Sequence, residues 1–227
     1  MTDRRHAQIT SRKRPQQARA KDLVATLLEA AVQVLAQEGA QRFTTTRVAE
    51  KAGVSIGSVY QYFPNKASIL FRLQSDEWQQ TGDLLARTLD EVQQPPLARL
   101  RRLVHVFVAS ECAEAQLRTA LHDAAPLYRD APEAKQARAA GRRRFERFMR
   151  EALPDAAPAS RALAGELIML TLSAVAKSFS GSPRGVAEIE AWSEAMADML
   201  CAYLSSLGQA HGAGPGHLTG DPVRTGA

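Results

Sequence analysis

Apolar residues recur at helical spacing from Ala20 onward. Leu23, Leu27, Ala31, Val34 and Leu35 share one face, and Gly39 follows as a stop of the C-cap kind. Thr44 or Thr45 can N-cap a short helix running to Ala52. Gly53 interrupts, Ser55 caps a second short helix to about Phe63, and Asn65 caps a long one. That long helix is predicted from Lys66 to near Val92, with Pro95-Pro96 as its stop. Further helices are predicted over 97–111, 113–121, 132–153, 160–179 and 186–207, punctuated by Pro126, Pro154, Pro158 and the run Ser180-Gly181-Ser182-Pro183. With no repeat and no strand alternation, the predicted fold class is all-α.

Both ends of the chain read differently. Residues 1–19 are polar and basic, carry Pro15 and lack periodicity, which predicts a flexible arm. After Gly208 the chain is rich in Gly, Pro and small polar residues, which predicts a disordered tail over 209–227.

Composition narrows the class. Hydrophobic residues make up 45% and charged residues 23%, as in a soluble globular protein. The apolar stretch 163–176 contains Glu166 and is too short to span a bilayer, so no membrane role is expected. The N-terminus lacks the apolar core of a signal peptide. Cys112 and Cys201 make no disulfide framework, which suits a reducing cytoplasm.

Charge changes the picture more. Residues 1–66 hold eleven Lys or Arg against five Asp or Glu, and the remainder holds eighteen against nineteen. The whole net charge of +5 therefore resides in the first 66 residues, as expected of a segment that meets a polyanion. For residues 1–20 a basic tail that merely aids solubility fits equally well. Residues 21–66 are too periodic for that account.

Within that segment, AEKAGVSIGSVYQYFPNK (49–66) breaks a helical pattern with glycine and then clusters polar groups. Two short helices joined by a tight glycine turn describe a helix-turn-helix. Ala49 is small where the helices approach, Gly53 can take the positive φ of the turn, and Val48, Ala52, Val54, Val59 and Phe63 supply apolar anchors. A helix packed only on its own core has no use for Ser55, Gly57, Ser58, Tyr60, Gln61 and Tyr62 on its outer faces. Short polar side chains beside a glycine let a helix sit deep in a major groove, and tyrosine hydroxyls reach phosphate oxygens.

The stretch FTTTRVAEKAGVSIGSVYQYFPNKASIL resembles the DNA-binding signature of tetracycline-repressor (TetR) type transcriptional regulators, and the resemblance is specific over 20–72. Two departures are Ala67, where an acidic residue often follows the Asn-Lys pair, and Ile56, where many relatives carry a polar residue. The resemblance implies that Thr45, Thr46 and Arg47 contact the DNA backbone. Ser55, Ile56, Gly57, Ser58 and Gln61 would face base edges, Ile56 through van der Waals contact. Tyr60 and Tyr62 would bind phosphates, with core packing the competing reading for Tyr60. Lys66 would grip another phosphate, where its charge and the helix dipole both favour an anion.

The resemblance further implies an N-terminal three-helix helix-turn-helix domain (20–66) and a larger helical effector-binding and dimerisation domain (67–208). The implied function is a ligand-responsive DNA-binding regulator, a repressor released from a palindromic double-stranded operator by a small, largely apolar effector. The implied assembly is a homodimer through the last two helices, whose sequences carry broad apolar stripes with small residues. Pocket-lining candidates are Phe71, Trp78, Phe107, Phe145, Phe148, Met149 and Met169, although such residues at helical spacing also make ordinary core.

The rest of the chain shows no phosphate loop, no paired-carboxylate motif and no nucleophile with a nearby base, so no enzyme activity, cofactor or metal is expected. His105 and Cys112 share a helix face, with His122 and Asp123 further on, but ordinary half-buried side chains account for them better than a metal site. His211 and His217 fall in the Gly-rich tail. Arginines 138, 142, 143, 144, 147 and 150 crowd one helix with Phe145, Phe148 and Met149 between them. They read as a solvated basic face, the alternative being an arginine turned inward to hold an anion. A second class of function, a helical enzyme or scaffold using the helix-turn-helix for protein contacts, is separated from the first by DNA binding.

Overall fold

The computed structural model describes residues 9–10 and 18–212, with the side chains at 137, 138, 140 and 210–212 outside the description. The chain order is α1 (Ala18–Arg42), α2 (Thr45–Ala52), α3 (Ile56–Tyr62), α4 (Lys66–Leu89) and α5 (Pro96–Ala113). Then come α6 (Ala115–Ala124), a 3₁₀ turn (Ala125–Leu127), α7 (Pro132–Ala152), α8 (Pro158–Ser180) and α9 (Val186–Gly212). The fold is all-α.

The helix starts are local chemistry. Thr44 caps α2 by accepting from the Arg47 amide, and Ser55 caps α3 by accepting from the Ser58 amide. Asn65 and Ser68 form a reciprocal capping box at the head of α4, with 2.9 Å from the Ser68 amide to Asn65 Oδ1. Pro96, Pro132 and Pro158 open α5, α7 and α8, where a missing amide hydrogen costs nothing.

Two positions need glycine. Gly53 ends α2 in the left-handed region at φ 67°, ψ 30°, its amide donating to the carbonyls of Ala49 and Glu50. At Gly39 the value φ 74° breaks the regular dihedrals of α1, where a stop was predicted, and the chain then turns helically again to Arg42.

Packing falls into two apolar clusters. The first joins α1, α2 and α3 to the first turns of α4, and includes Ala120, Leu121 and Ala124 of α6, Tyr128 and Ala134. The second gathers the end of α4 (Leu85, Leu89) with the inner faces of α5, α7, α8 and α9. The helix-turn-helix core therefore does not stop at residue 66, because Phe71 and Leu73 of α4 and the buried face of α6 complete it.

Three sequence expectations need correction. Ile9, inside the predicted arm, is buried against the first cluster, because an isolated apolar side chain gains by docking on a nearby apolar surface. The other arm residues outside 9–10 and 18–19 lie outside the described residues. Residues 209–212, assigned to a tail, continue α9, since nothing before Gly212 forbids helical dihedrals; 213–227, with His217, lie outside the description, as does the side chain of His211. Finally, α8 is longer than its apolar stretch suggested. By length and composition alone, α1 and α8 could each cross a membrane. Both bury one face in the clusters above, as helices of a folded core do.

Candidate nucleic-acid interface and effector region

The short α3 is held by one fully buried side chain, Val59, with Phe63 buried just past its end. Its other faces are open. Ile56, Gly57, Tyr60 and Gln61 are exposed, and Ser58 and Tyr62 are half-buried. The Oγ atoms of Ser55 and Ser58 lie 2.9 Å apart, so the cap of α3 is tied to its first turn while both hydroxyls stay near solvent.

Gly57 stands out on this face. It is helical, its φ is ordinary, and a Cβ there would meet only Ser55 Oγ at 3.7 Å. Nothing inside the molecule requires a glycine at a helical position, where it costs about 1 kcal/mol against alanine. Its bare backbone instead opens the outer surface to close approach.

Among the other interface candidates, Thr46 is exposed, and Lys66 is the half-buried first residue of α4. Arg47 reaches back to the Glu38 carboxylate and to the Arg42 carbonyl at 2.9 Å, which fixes its guanidinium at the α1–α2 corner. The structure takes Thr45 out of the exposed set. It is buried, and its hydroxyl lies 3.3 Å from that of Tyr60. The resemblance implied a DNA-backbone role for both, with core packing the alternative for Tyr60, and the two hydroxyls face each other across the α2–α3 turn. Tyr62 packs its ring against the first apolar cluster, so it faces two ways.

The pocket candidates divide between the two clusters. Phe71 and Trp78 belong to the first, and Phe107, Phe145, Phe148, Met149 and Met169 to the second. Phe145, Phe148 and Met149 are close-packed, and a Cβ at Gly165 would fall 3.2 Å from Met149 Cγ, so α7 and α8 touch there. Between the clusters the middle of α4 is polar. Glu77 accepts from Gln74 and Thr81, both at 2.9 Å, and lies 3.4 Å from the Arg118 guanidinium. Burial, partly opposed by Arg118, raises the Glu77 carboxyl above its ordinary value. Apolar periodicity selects Phe71 and Trp78 but not this belt, whose signal in the sequence is the set of polar residues flanking Trp78 in 74–81.

The arginine-rich α7 resolves into two roles. Arg142, Arg143, Arg147 and Arg150 are exposed, and with Lys135 and Ala139 the first two line a shallow surface groove. Among the described arginines of α7, Arg144 turns toward α4, donating to the Gly82 carbonyl at 2.8 Å beside Asp90. The side chain of Arg138 lies outside the described residues. His105 sits between Glu190 and Glu194 of α9, at 3.4 and 2.8 Å, which accounts for it as an interhelix contact. Among the described residues no group of three or more His, Cys, Asp or Glu is arranged to hold a metal.

Comparison with known proteins agrees with this layout. A family model described as bacterial regulatory proteins of the tetR family matches residues 27–73, and a tetracyclin repressor-like C-terminal domain matches 95–207. The fatty acid metabolism regulator protein of Bacillus subtilis is 30% identical over 73 residues, 32% of this chain and 36% of that one. The HTH-type transcriptional regulator TtgR of Pseudomonas putida is 36% identical over 86 residues, 37% of this chain and 40% of that one. The matched region thus spans well under half the length of these relatives. The crystal structure of FadR from Bacillus subtilis in complex with stearoyl-CoA superposes with a TM-score of 0.61 at 18% identity. It covers 79% of this chain and 98% of that one, a likeness of fold. With both halves matched by models of one family and the helix-turn-helix in place, the chain belongs to the TetR family.

Proposed function

We propose that the chain is a ligand-responsive DNA-binding transcriptional regulator of the cytoplasm rather than an enzyme, a repressor that a small effector releases from a palindromic operator. The observation that carries this reading is α3, which presents Ile56, Gly57, Tyr60 and Gln61 to solvent and includes a glycine with no internal purpose. Such a helix is fitted to lie in a major groove, with Ser58 and Gln61 at base edges, Ile56 in apolar contact, and Thr46, Arg47, Tyr60, Tyr62 and Lys66 toward phosphates. The positive charge of residues 1–66 favours the same surface.

The active form is a homodimer. Leu163, Leu167 and Leu170 of α8 and Trp192 and Met199 of α9 are large apolar side chains left exposed on the two last helices. Leu163, Leu167 and Leu170 are spaced i, i+4, i+7 on α8 and Trp192 and Met199 i, i+7 on α9, the kind of face that a second copy covers. The family relationship supports the same assembly. Effector binding belongs to the region between α4 and α8, where α4 runs unbroken from Lys66 to the second apolar cluster. A ligand that prefers one tilt of α4 changes the spacing of the two recognition helices.

Binding of the full-length protein to DNA from its own promoter region, followed by gel shift and by fluorescence anisotropy at several salt concentrations, tests the reading. A salt-dependent, sequence-preferring complex is expected. Binding no tighter to that fragment than to random duplex would overturn it.

A further inference from the structure

The helix α6 has two working faces. Ala120, Leu121 and Ala124 are buried in the cluster that contains Val24, Leu27, Ala31 and Leu35 of α1. Across the helix-turn-helix boundary, α1 packs more extensively on α6 than on α4. The DNA-binding helices therefore hang on the larger domain chiefly through α6. Flanking that face, α6 carries Arg118, whose side chain is only 12% exposed.

That one guanidinium serves three carboxylates from three places. Its Nη1 donates to Glu111 of α5, and its Nη2 to Ser110 Oγ at 2.9 Å and Glu114 Oε2 at 3.1 Å. Glu77 of α4 lies 3.4 Å away. The chain of contacts continues beyond Glu77. Gln74 donates to it, and the Gln74 side-chain oxygen lies 3.1 Å from the Tyr128 hydroxyl, itself 2.8 Å from the Leu121 carbonyl of α6. The phenol is pushed well up by burial, so it keeps its proton as a donor. A closed polar ring thus runs from Arg118 of α6 to α4, on through Tyr128 and back to α6, with α5 tied to it at Arg118.

We propose that Arg118 is the positioning residue that fixes α6, and with it the DNA-binding helices, against α4 and α5. Apolar faces tolerate small sliding, because burial is not directional. Charge-assisted hydrogen bonds do not, so a shift of α6 by a fraction of a turn breaks the ring. The site is also charge-imbalanced. Without that guanidinium the carboxylates of Glu77 on α4, Glu111 on α5 and Glu114 at the α5–α6 junction repel one another, which loosens the α5–α6 corner from α4. The functional consequence rests on the DNA-binding reading above, whereas the mechanical role does not.

The test uses the full chain carrying Arg118→Met or Arg118→Lys. Hydrogen exchange should quicken in α6 and α1 of Arg118→Met while α8 and α9 keep wild-type protection. Affinity for the promoter DNA should fall by about five-fold or more with an unchanged salt slope, since no phosphate contact is lost and only the pose is freed. Arg118→Lys, which keeps the charge but not the fork, should recover part of that loss. Should Arg118→Met not fold, the Lys variant alone must show the localised exchange and the weakened binding. Exchange that rises evenly over the molecule, or affinity equal to wild type, would overturn the inference. A wild-type protein that fails to bind DNA would instead sink the functional reading, and the exchange pattern would still judge the role of Arg118.

Discussion

The hydroxyls of Thr45 and Tyr60 lie 3.3 Å apart, joining the first turn of α2 to the outward side of α3. Thr45 is buried and Tyr60 is exposed, so one contact links the core of the helix-turn-helix to its presented face. It fixes the angle between the two helices by a directional bond where the apolar anchors alone would allow some rotation.

Removing either partner should therefore cost more than the same change at an exposed pair. Tyr60→Phe leaves the buried Thr45 hydroxyl short of a partner, and a loss of about 1 kcal/mol is expected from urea midpoints. Thr45→Ala in the Tyr60→Phe background should cost less than Thr45→Ala alone. Additive effects would show that the two hydroxyls do not interact.

The two glycines of the recognition region should answer alanine in opposite ways. Gly57→Ala places a methyl group in open space on a helix and should stabilise by up to about 1 kcal/mol while weakening DNA binding. Gly53→Ala forces alanine to φ 67° and should destabilise by about 1–2 kcal/mol. Thermal unfolding alongside anisotropy separates the two, and Gly57→Ala with undiminished DNA affinity would remove the argument from close approach.

Lys66→Ala should weaken binding to every DNA sequence alike and lower the salt slope by about one, as expected for one lost phosphate contact. Gln61→Ala should instead change sequence preference at similar overall charge. An unaltered salt slope in the Lys66 variant would place the ammonium away from the DNA.

A charge set into the exposed stripe of α8 should disrupt the dimer without touching the core. Leu170 is 65% exposed in the isolated chain, so Leu170→Glu has little to disturb within it. Light scattering at micromolar concentration should show the wild type as a dimer and the variant shifted to monomer. An unshifted variant would locate the interface elsewhere.

Glu77 makes a pH prediction of definite sign. Its folded pKa is raised above the ordinary 4.5, chiefly by burial, so the folded state holds its proton more tightly than the unfolded state does. Stability from this group is then full below 4.5 and is lost as pH rises through the folded value. Glu77→Gln keeps an amide beside Thr81 and Gln74 but cannot titrate. The stability difference, variant minus wild type, should grow as pH rises from 4.5 toward neutrality in urea unfolding. A difference flat across that range would mean that burial does not govern this carboxyl.

Much of the fold was legible in the sequence because its signals act within a few residues. Thr44, Ser55 and Asn65 cap by accepting from amides three positions on, and Gly53 answers a dihedral that other residues avoid. The exposed polar face of α3 followed from the same short-range reasoning, since the period of a helix assigns faces once its start is known. Fold class, helix order and the helix-turn-helix were therefore set by the chain's local chemistry.

What only the tertiary structure decided are the partnerships between residues far apart in sequence. Thr45 meets Tyr60 across the turn, and Arg118 gathers Glu77 from a helix 41 positions earlier. Arg99 illustrates the limit most sharply. Arginine is a residue type ordinarily left at the surface, yet Arg99 is 1% exposed, donating to the Leu89 carbonyl and to Glu151 with its guanidinium over the Phe148 ring. Nothing near Arg99 in the chain signals this, because burying a charge is tolerable only where several distant elements together supply acceptors and an aromatic face. Local preferences fix which helices form and which way each faces. The assembly of those helices alone settles which charges are paired and which residue holds the DNA-binding domain in place.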